Sequence, residues 1–390
     1  MRLWSFRPAL PVLVVASVAS VAMATGLVPA QAAGPPGWRI VATVSASVDG
    51  TELTAIAPAD QRHAWAVGFD LVSNSGTFAP VVMGWNGSAW TQVSLPAGVV
   101  ADLGAGPLLD AAAASSPSNM WAFTAGGGWL RWNGQWTAGR IAQTPIDIDS
   151  TLVFGPSDVW AFGSTLPKRG ASAPYAVHYD GPSGWKRYSV PGSAAIGAAS
   201  AVNSNDIWAT LGRTEFADSG RAVGGLVHWF RGSWHRVTGL PAQLRTASLG
   251  SVLARSDKDV WVGGAVKDSK GGSTEVVGRW NGRKWTVTVL RARATSNGYS
   301  MIAMVTDGAG GIWGLGNCLA SSNCSAASPW RLWHETAGNK WSRPIEPRLS
   351  NHDTLLSSLA PVAHSVWAPG AIREGSGANG IVALWGNVPG

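Results

Sequence analysis

The stretch VVMGWNGSAWTQV at residues 81–93 and the stretch VVGRWNGRKWTVTV at 276–289 are near-copies that each place two tryptophans around an Asn-Gly pair. Asn-Gly supplies the positive φ angles of a tight hairpin turn, so each copy predicts two short antiparallel strands. Either a binding motif that occurs twice or a structural period of the whole chain would produce such a pair. The choice decides whether the tryptophans form a site or a core.

The first copy also predicts a register. If Asn86 and Gly87 form a two-residue turn, Met83 faces Trp90 across the hairpin. Trp85 then lies diagonal to Trp90 on the same side of the sheet, in an aromatic cross-strand cluster.

The tryptophans recur throughout the chain. A first Trp follows a short turn seven times, at spacings of 56, 39, 48, 53, 52 and 54 residues, as Trp65, Trp121, Trp160, Trp208, Trp261, Trp313 and Trp367. Each is followed by an aromatic and a turn, in 85–90, 132–136, 179–185, 229–234, 280–285, 333–341 and 384–386. With Trp38 included, this period accounts for 20 of the 23 tryptophans and leaves Trp4, Trp129 and Trp330 outside it.

Each unit predicts four short strands, and seven units of about 50 residues describe the blades of a β-propeller. We therefore expect an all-β fold, with residues 33–390 as a single seven-bladed propeller of four-stranded blades. The last unit lacks its partner Trp, and Trp38 at the other end of the chain supplies one. The N-terminal strand is expected to pair with the strand at 381–385 and close the ring. Blade packing then explains the repeated tryptophans as core.

The composition agrees with a large β core. The chain has 390 residues, of which 23 are Trp and 49 are Gly, and only 13% are charged. This much apolar surface argues against disorder, and this much Gly argues against long helices.

The units SDVWAFG and HWFRGSW resemble the Trp-rich propeller repeats of secreted actinobacterial proteins, whose pattern is S-x-D-V-W-A-V-G followed by H-W-D/N-G-x-x-W. The resemblance covers about residues 37–390 and implies an architecture rather than a function. The chain is more distantly similar to kelch and galactose-oxidase-like propellers and to Asp-box propellers. It departs from them because the kelch double glycine is absent and its turns only loosely match an Asp-box.

The N-terminus predicts export. Arg2 and Arg7 precede an apolar Ala/Val stretch, and Ala30-Gln31-Ala32 is a small-x-small cleavage site, so we interpret residues 1–32 as a secretory signal peptide. The alternative is an uncleaved membrane anchor, because the apolar stretch is longer than most signal cores. In an oxidising compartment Cys318 and Cys324 are expected to form one disulfide. A metal site would need more ligands at suitable spacing than the sequence offers.

Basic residues are concentrated in one sector. Without residues 1–32 the net charge falls from +7 to 27 − 22 = +5. Residues 205–295 hold 14 Lys and Arg against 7 Asp and Glu, whereas the rest of the mature chain holds 13 against 15. A solvated surface explains this sector, and the functional alternative is attraction to an anionic cell-wall or membrane polymer. Nucleic acid is not an expected partner, because the basic residues form no recognition segment.

Several polar residues are candidates for chemistry. A sialidase-like site would need an Arg, a Tyr nucleophile and an acid near the axis, for which Arg245, Tyr299 and Asp353 are the candidates. The recurring Asp158, Asp206 and Asp259 are expected to bond turn backbone, and His178 and His228 to be hydrogen-bonded within blades. Asp147 and Asp149 are interpreted as a solvated loop rather than a cation site.

The segments that vary between units favour recognition over catalysis. Loops joining the second and third strands share one face with the connections between units, and we place them at 69–80, 164–174, 212–223, 265–274 and 316–329. Trp129 and Trp330, which lie outside the period, are candidate stacking platforms. We expect a secreted, monomeric, non-catalytic propeller without metal or cofactor that binds a glycan, a cell-wall polymer or a protein partner. The alternative is a propeller glycoside hydrolase with its site at the channel mouth.

Overall fold

The computed structural model describes residues 37–45, 50–72, 77–142, 145–167, 172–212, 225–267, 273–290, 298–318, 330–336, 340–342, 349, 354–374 and 377–386. The predicted signal peptide at 1–32, Cys324 and Asp353 lie outside the described residues, so the predictions made for them stay predictions. Within the described part, no helix is long and apolar enough to cross a membrane.

The described chain forms seven antiparallel sheets, as the period of the tryptophans predicts. The first three blades contain β2 (Thr51–Pro58), β3 (Ala64–Val72), β4 (Thr77–Trp85) and β5 (Trp90–Gln92); β6 (Leu109–Ser116), β7 (Asn119–Thr124), β8 (Gly128–Trp132) and β9 (Trp136–Arg140); and β10 (Ile146–Gly155), β11 (Asp158–Thr165), β12 (Pro174–Tyr179) and β13 (Trp185–Tyr188). The fourth to sixth contain β14 (Ile196–Asn203), β15 (Asp206–Leu211), β16 (Gly225–Phe230) and β17 (Ser233–Arg236); β18 (Ser248–Ser256), β19 (Asp259–Lys267), β20 (Ser273–Trp280) and β21 (Trp285–Val289); and β22 (Tyr299–Thr306), β23 (Ile312–Cys318), β24 (Trp330–Thr336) and β25 (Lys340–Trp341).

The seventh blade is built from both parts of the chain. Its inner strand is divided into β26 (Thr354–Leu356) and β27 (Ala360–Val362), followed by β28 (Ser365–Glu374), β29 (Gly377–Trp385) and then β1 (Trp38–Val44). Two short helices, α1 (Ala97–Asp102) and α2 (Ala242–Arg245), lie in connections between blades. The first strands of neighbouring blades contact one another, which places them around the central channel.

The predicted closure of the ring is confirmed. β1 pairs antiparallel with β29, with Trp38 opposite Trp385 and Val44 opposite Gly380. The ring of Trp38 also lies 6.0 Å from that of Trp313 in the sixth blade, and Trp313 lies 4.9 Å from Trp385. The N-terminal strand therefore completes both a sheet and a contact between blades.

The tryptophans of the second strands form the core, as predicted. All seven are buried, with exposed fractions between 1% for Trp121 and 8% for Trp65. Each second strand is enclosed within its sheet, so its apolar side chains pack against the neighbouring blades.

The predicted register of the outer hairpin is wrong by two residues. Trp85 lies directly opposite Trp90, with ring centroids 5.7 Å apart, and Met83 lies opposite Gln92. The reason is that the turn has four residues rather than two. Asn86 accepts hydrogen bonds from the backbone N–H groups of Ser88 and Ala89 through its side chain, and the Asn86 N–H donates to Ala89 O.

The sixth blade departs from the predicted alignment of its third strand. Glu335, rather than Trp333, lies opposite Ile312 and Trp341, where other blades have an aromatic. Trp333 lies two residues earlier and is 3% exposed. The sequence prediction aligned the third strand by matching Trp333 to the aromatic residues of the other blades. The strand pairing places Glu335 at that position instead.

The recurring Asp and His residues join neighbouring strands of one blade. His178 Nε2 lies 2.8 Å from Asp158 Oδ1, and the His178 ring stacks 4.6 Å from Trp160. The same pairing joins His228 to Asp206 and His334 to Asp307, whereas Arg279 takes the His position beside Asp259. The predicted hydrogen bonding of His178 and His228 is confirmed. The prediction for the Asp residues missed these side-chain partners on the facing strand.

Candidate functional site

The first, innermost strands of most blades contain a β-bulge near their N-terminal ends. In five blades one residue is left out of the pairing with the second strand, namely Thr54, Asp110, Asp149, Gly250 and Ile302. Such β-bulges turn a side chain away from the regular alternation of a strand. This end of the channel lies on the face that carries the connections between blades and the turns from second to third strands.

Acidic residues at this mouth come from three consecutive blades. The first blade contributes Glu52, the second Asp110, and the third Asp147 and Asp149, and all four are partly exposed. Asp110 and Asp149 are bulged residues, whereas Glu52 and Asp147 lie two positions before a bulge. The same two positions are uncharged in the fifth and sixth blades, as Ser248 and Gly250 and as Ser300 and Ile302. We call Glu52, Asp110, Asp147 and Asp149 the acidic mouth. The interpretation of Asp147 and Asp149 as a loop is wrong, because both lie within β10.

Glu52 connects the two ends of the ring. Its carboxylate accepts a hydrogen bond of 2.9 Å from the Ser357 hydroxyl, which follows β26 in the last blade. Burial raises the pKa of Glu52 to about 7, the bond from Ser357 opposes this, and the negative charge of Asp110 adds to it. Although the side chain is partly exposed, protein surrounds it in the channel. The Glu52 carboxyl on the inner strand of the first blade therefore interacts with the blades on both sides of it, with Ser357 of the seventh and Asp110 of the second.

The raised pKa predicts a stability that falls as the pH rises. Between pH 4.5, the pKa of an ordinary Glu, and about 7, the folded state binds more protons at Glu52 than the unfolded state does. Replacing Glu52 by Gln should therefore stabilise the protein at pH 8 by about 2 kcal/mol, after allowance for partial exposure, and leave stability unchanged at pH 4.

Urea unfolding at pH 4, 6 and 8 measures this difference. Exposed Asp102, replaced by Asn, serves as the control and should follow the wild type at each pH. A constant offset between the Glu52→Gln variant and the wild type across this range would show that the Glu52 carboxyl does not titrate as proposed.

Two sequence-predicted stacking platforms are packed into their blades. Trp330 is 5% exposed, and its Nε1 donates to Thr354 O at 2.6 Å, so it is not the exposed platform that the sequence predicts. Trp129 is partly exposed, with its ring 5.3 Å from that of Trp121 and against the backbone at Gly139. Both fill space between strands because a blade offers apolar neighbours on each side.

Tyr299 lies in a charged cluster that the sequence did not predict. The Arg331 guanidinium lies 3.4 Å from the centre of the Tyr299 ring, and Arg331 Nη1 lies 3.7 Å from Glu275 Oε2. Trp333 Nε1 donates to Glu275 Oε1 at 2.9 Å. Burial raises the pKa of Glu275 to about 7, while the bond from Trp333 and the charge of Arg331 oppose the rise.

This cluster joins the fifth and sixth blades in the interior. Tyr299, Arg331 and Glu275 are at most 5% exposed. Arg245 is exposed at the end of α2, away from this interior position. The three residues proposed for a sialidase-like site are thus not brought together in the described part of the chain, in which Asp353 is not included.

The predicted variable loop of the first blade is shorter than expected. β3 extends to Val72 and β4 begins at Thr77, so most of 69–80 is strand, with the rings of Phe69 and Phe78 5.1 Å apart. The second blade turns tightly between Thr124 and Gly128, as predicted. The tips of the other predicted loops lie outside the described residues, as does Cys324, the expected partner of Cys318.

Sequence reasoning missed Glu52 and Asp110. Each lies next to the buried leucine that begins the regular part of an inner strand, Leu53 and Leu109 respectively. An acidic residue beside this leucine in two successive units could have identified both as candidate site residues. The bulge that takes Asp110 out of the strand pairing has no local sequence pattern. Among the described residues, no group of three or more His, Cys, Asp or Glu side chains could hold a metal ion.

The sequence matches no protein-family model and no curated protein. Solved structures show similar folds at low identity. YCF48 bound to a D1 peptide has a TM-score of 0.56 at 12% identity and covers 92% of this chain and 97% of its own. The WD40 propeller domain of Doa1 has a TM-score of 0.53 at 11% identity, over 89% of this chain and 97% of its own.

A third similar structure is the extracellular domain of the putative one-component system BT4673 from B. thetaiotaomicron, with a TM-score of 0.55 at 10% identity. It covers 88% of this chain and 39% of its own. The narrower resemblance to secreted actinobacterial repeats stays a prediction. The comparisons show that the chain folds as a β-propeller, like the WD40 domain of Doa1 and YCF48.

Proposed function

We propose that this chain is a non-catalytic binding propeller that holds a protein partner at the acidic mouth. The partner would present an extended segment with a Lys or Arg side chain directed into the channel. The observation that carries the proposal is the one-sided distribution of charge, with four acids on three consecutive blades and uncharged bulges in the fifth and sixth.

The geometry suits binding of a cation. Glu52, Asp110 and Asp149 are partly exposed and belong to rigid strands, so little side-chain or backbone order has to be gained on binding. The negative charge of Asp110 disfavours the charged form of Glu52, and a guanidinium or ammonium group between these two side chains would remove that repulsion. The electrostatic gain is therefore specific to basic segments.

Two further points favour a protein partner over hydrolysis. Tyr299, the proposed nucleophile, is closed off under Arg331, and Arg245 lies on α2. Among the similar folds, YCF48 was solved bound to a D1 peptide, which illustrates that a propeller of this fold can hold a peptide. Export through residues 1–32 is part of the proposal and would place the partner outside the cytoplasm.

Replacing Asp110 and Asp149 together by Asn should weaken binding of basic peptides by at least about 10-fold, the effect of losing about 1.4 kcal/mol. Fluorescence anisotropy with labelled 12-residue peptides of basic, neutral and acidic composition measures this. The wild type should prefer the basic set, and the preference should decline with salt.

Exposed Asp102 and Asp257, both replaced by Asn, form a control with the same change in charge at positions away from the acidic mouth. Equal weakening in the two double variants would assign the effect to net charge and reject the site. Tighter binding of acidic peptides by the wild type would also reject it.

A further inference from the structure

A second charged surface lies on the opposite face of the propeller. Here the turns join first to second strands and third to fourth strands. In the fifth blade these turns carry Lys258, Arg283 and Lys284, and Arg255 lies beside them near the end of β18; all four are exposed. We call these four residues the basic turns. The third-to-fourth-strand turn of the fourth blade adds exposed Arg231 on the same face.

The two turns of the fifth blade are in direct contact. The Lys258 stem lies against Gly282, where an added β-carbon would come within 2.8 Å of Lys258 Cγ. Trp280 Nε1 also donates across to Asp257 O at 3.2 Å. Lys258 is therefore held beside Arg283 and Lys284, and three positive charges share one small area.

Acids of the described chain balance only part of this charge. Asp259 accepts a bond of 2.8 Å from Arg279 and lies 3.5 Å from Arg255 Nε, so its charge is shared by two guanidinium groups. Within the described ranges, no carboxylate lies within 4 Å of a side-chain nitrogen of Lys258, Arg283 or Lys284. Counting Arg279 with the basic turns, five cations face the two acids Asp257 and Asp259, a local +3.

This concentration is not part of the structural repeat. The same two turns of the first blade contain Arg62 as their one cation, and those of the second and third blades contain none, in 117–118, 133–135, 156–157 and 180–184. Adjacent like charges repel, so the fold gains nothing from gathering them. The structural repeat therefore does not account for this charged surface.

We infer that the basic turns form a docking surface for a linear acidic polysaccharide. The cations project from exposed turns rather than into a pocket, which matches a chain with oxyanions at regular intervals better than a single small anion. Arg guanidinium groups donate paired hydrogen bonds to a carboxylate or sulfate group, and Lys adds flexible point charges. A membrane surface fits less well, since the exposed large apolar residues Val72, Leu166, Val202 and Val289 all lie outside these two turns.

The test uses the full chain on immobilised heparin, which is sulfated, and on polygalacturonate, which carries carboxylates. Replacing Lys258, Arg283 and Lys284 together by Gln should lower the affinity at least about 10-fold and lower the salt concentration needed for elution. Retention on one polymer alone identifies the preferred oxyanion and supports the inference.

A matched control replaces three exposed cations of other blades, Arg62, Lys186 and Arg373, by Gln. It should keep the wild-type affinity within about twofold, and thermal unfolding followed by circular dichroism should show both triple variants folded. Equal loss in the two variants, no retention by the wild type, or stronger binding to phosphatidylglycerol vesicles than to either polymer would overturn the inference.

The surface is independent of the acidic mouth. The double Asn variant at Asp110 and Asp149 should bind both polymers at least as well as the wild type, because it removes negative charge on the other face. A chain that fails to bind basic peptides but still binds polysaccharide would reject the proposed function alone.

Discussion

Replacing Trp160 by Ala should lower the free energy of unfolding by about 4 kcal/mol, in the range measured for buried aromatic side chains. Trp160 is 2% exposed and lies between the third and fourth blades. Its ring contacts His178 of its own blade at 4.6 Å and Trp229 of the next blade at 4.9 Å. The substitution therefore opens a cavity between two sheets that are each held by their other contacts.

The loss should come from packing alone. Trp160 Nε1 has no hydrogen-bond acceptor among the described residues, so Ala leaves no polar partner unsatisfied through that atom. Trp136 offers the control, because it is partly exposed on an outer strand and pairs with Trp132. Its replacement by Ala should cost less than half as much.

Urea unfolding followed by circular dichroism compares the two variants. If Trp136→Ala proved as costly as Trp160→Ala, the outer hairpins would share the core role now given to the second strands. If Trp160→Ala cost less than about 1 kcal/mol, well below the usual cost of truncating a buried aromatic, the blades would not depend on this contact.

The sequence was sufficient for the architecture because every blade buries its second-strand Trp in the same way. Because the Trp period occurs seven times, it can be recognised even where one unit departs from the pattern. The ring closure by Trp38 is predictable because the last unit lacks its second Trp and the N-terminal part of the chain supplies one. Single-residue registers had no such redundancy. The Asn86 turn is widened to four residues by side-chain bonds to Ser88 and Ala89, which the Asn-Gly dipeptide alone does not predict.

The candidate site was less predictable for the same reason. Nothing in the sequence around Asp149 distinguishes it from other inner-strand residues. Its special position comes from the bulge that leaves it unpaired with the second strand. Glu52 gains its environment from Ser357, which lies 305 positions later in the chain. The basic sector was visible as a count over 205–295, but the contact between Lys258 and Gly282 that concentrates it is tertiary.

A recurring spacing in the repeat connects the fold to the acidic mouth. In five blades the residue three positions after the core Trp is a glycine, at Gly68, Gly163, Gly264, Gly316 and Gly370. At all of these except Gly316, a β-carbon would overlap a carbonyl oxygen of the inner strand, which for Gly68 belongs to Glu52 and for Gly163 to Asp147. The bulged strand approaches so closely that only glycine fits.

Replacing Gly163 by Ala should therefore destabilise the protein by about 3 kcal/mol, as expected when a well-packed region is overfilled against rigid backbone. Gly155 in the same blade is the matched control, because an added β-carbon there meets nothing within 4 Å. Gly155→Ala should be neutral or slightly stabilising, since Ala reduces the freedom of the unfolded chain. Urea unfolding of both variants at pH 6 measures the difference.

The same variant tests how closely the fold and the site depend on each other. To admit the methyl group, the inner strand must move at Asp147, which displaces the third blade's share of the acidic mouth. Gly163→Ala should then weaken binding of basic peptides even under conditions where it is fully folded, and Gly155→Ala should not. A Gly163→Ala protein with wild-type stability would mean that the inner strand yields easily. The bulges could then not hold the carboxylates in fixed positions, and the acidic mouth would lose the rigidity on which its proposed selectivity depends.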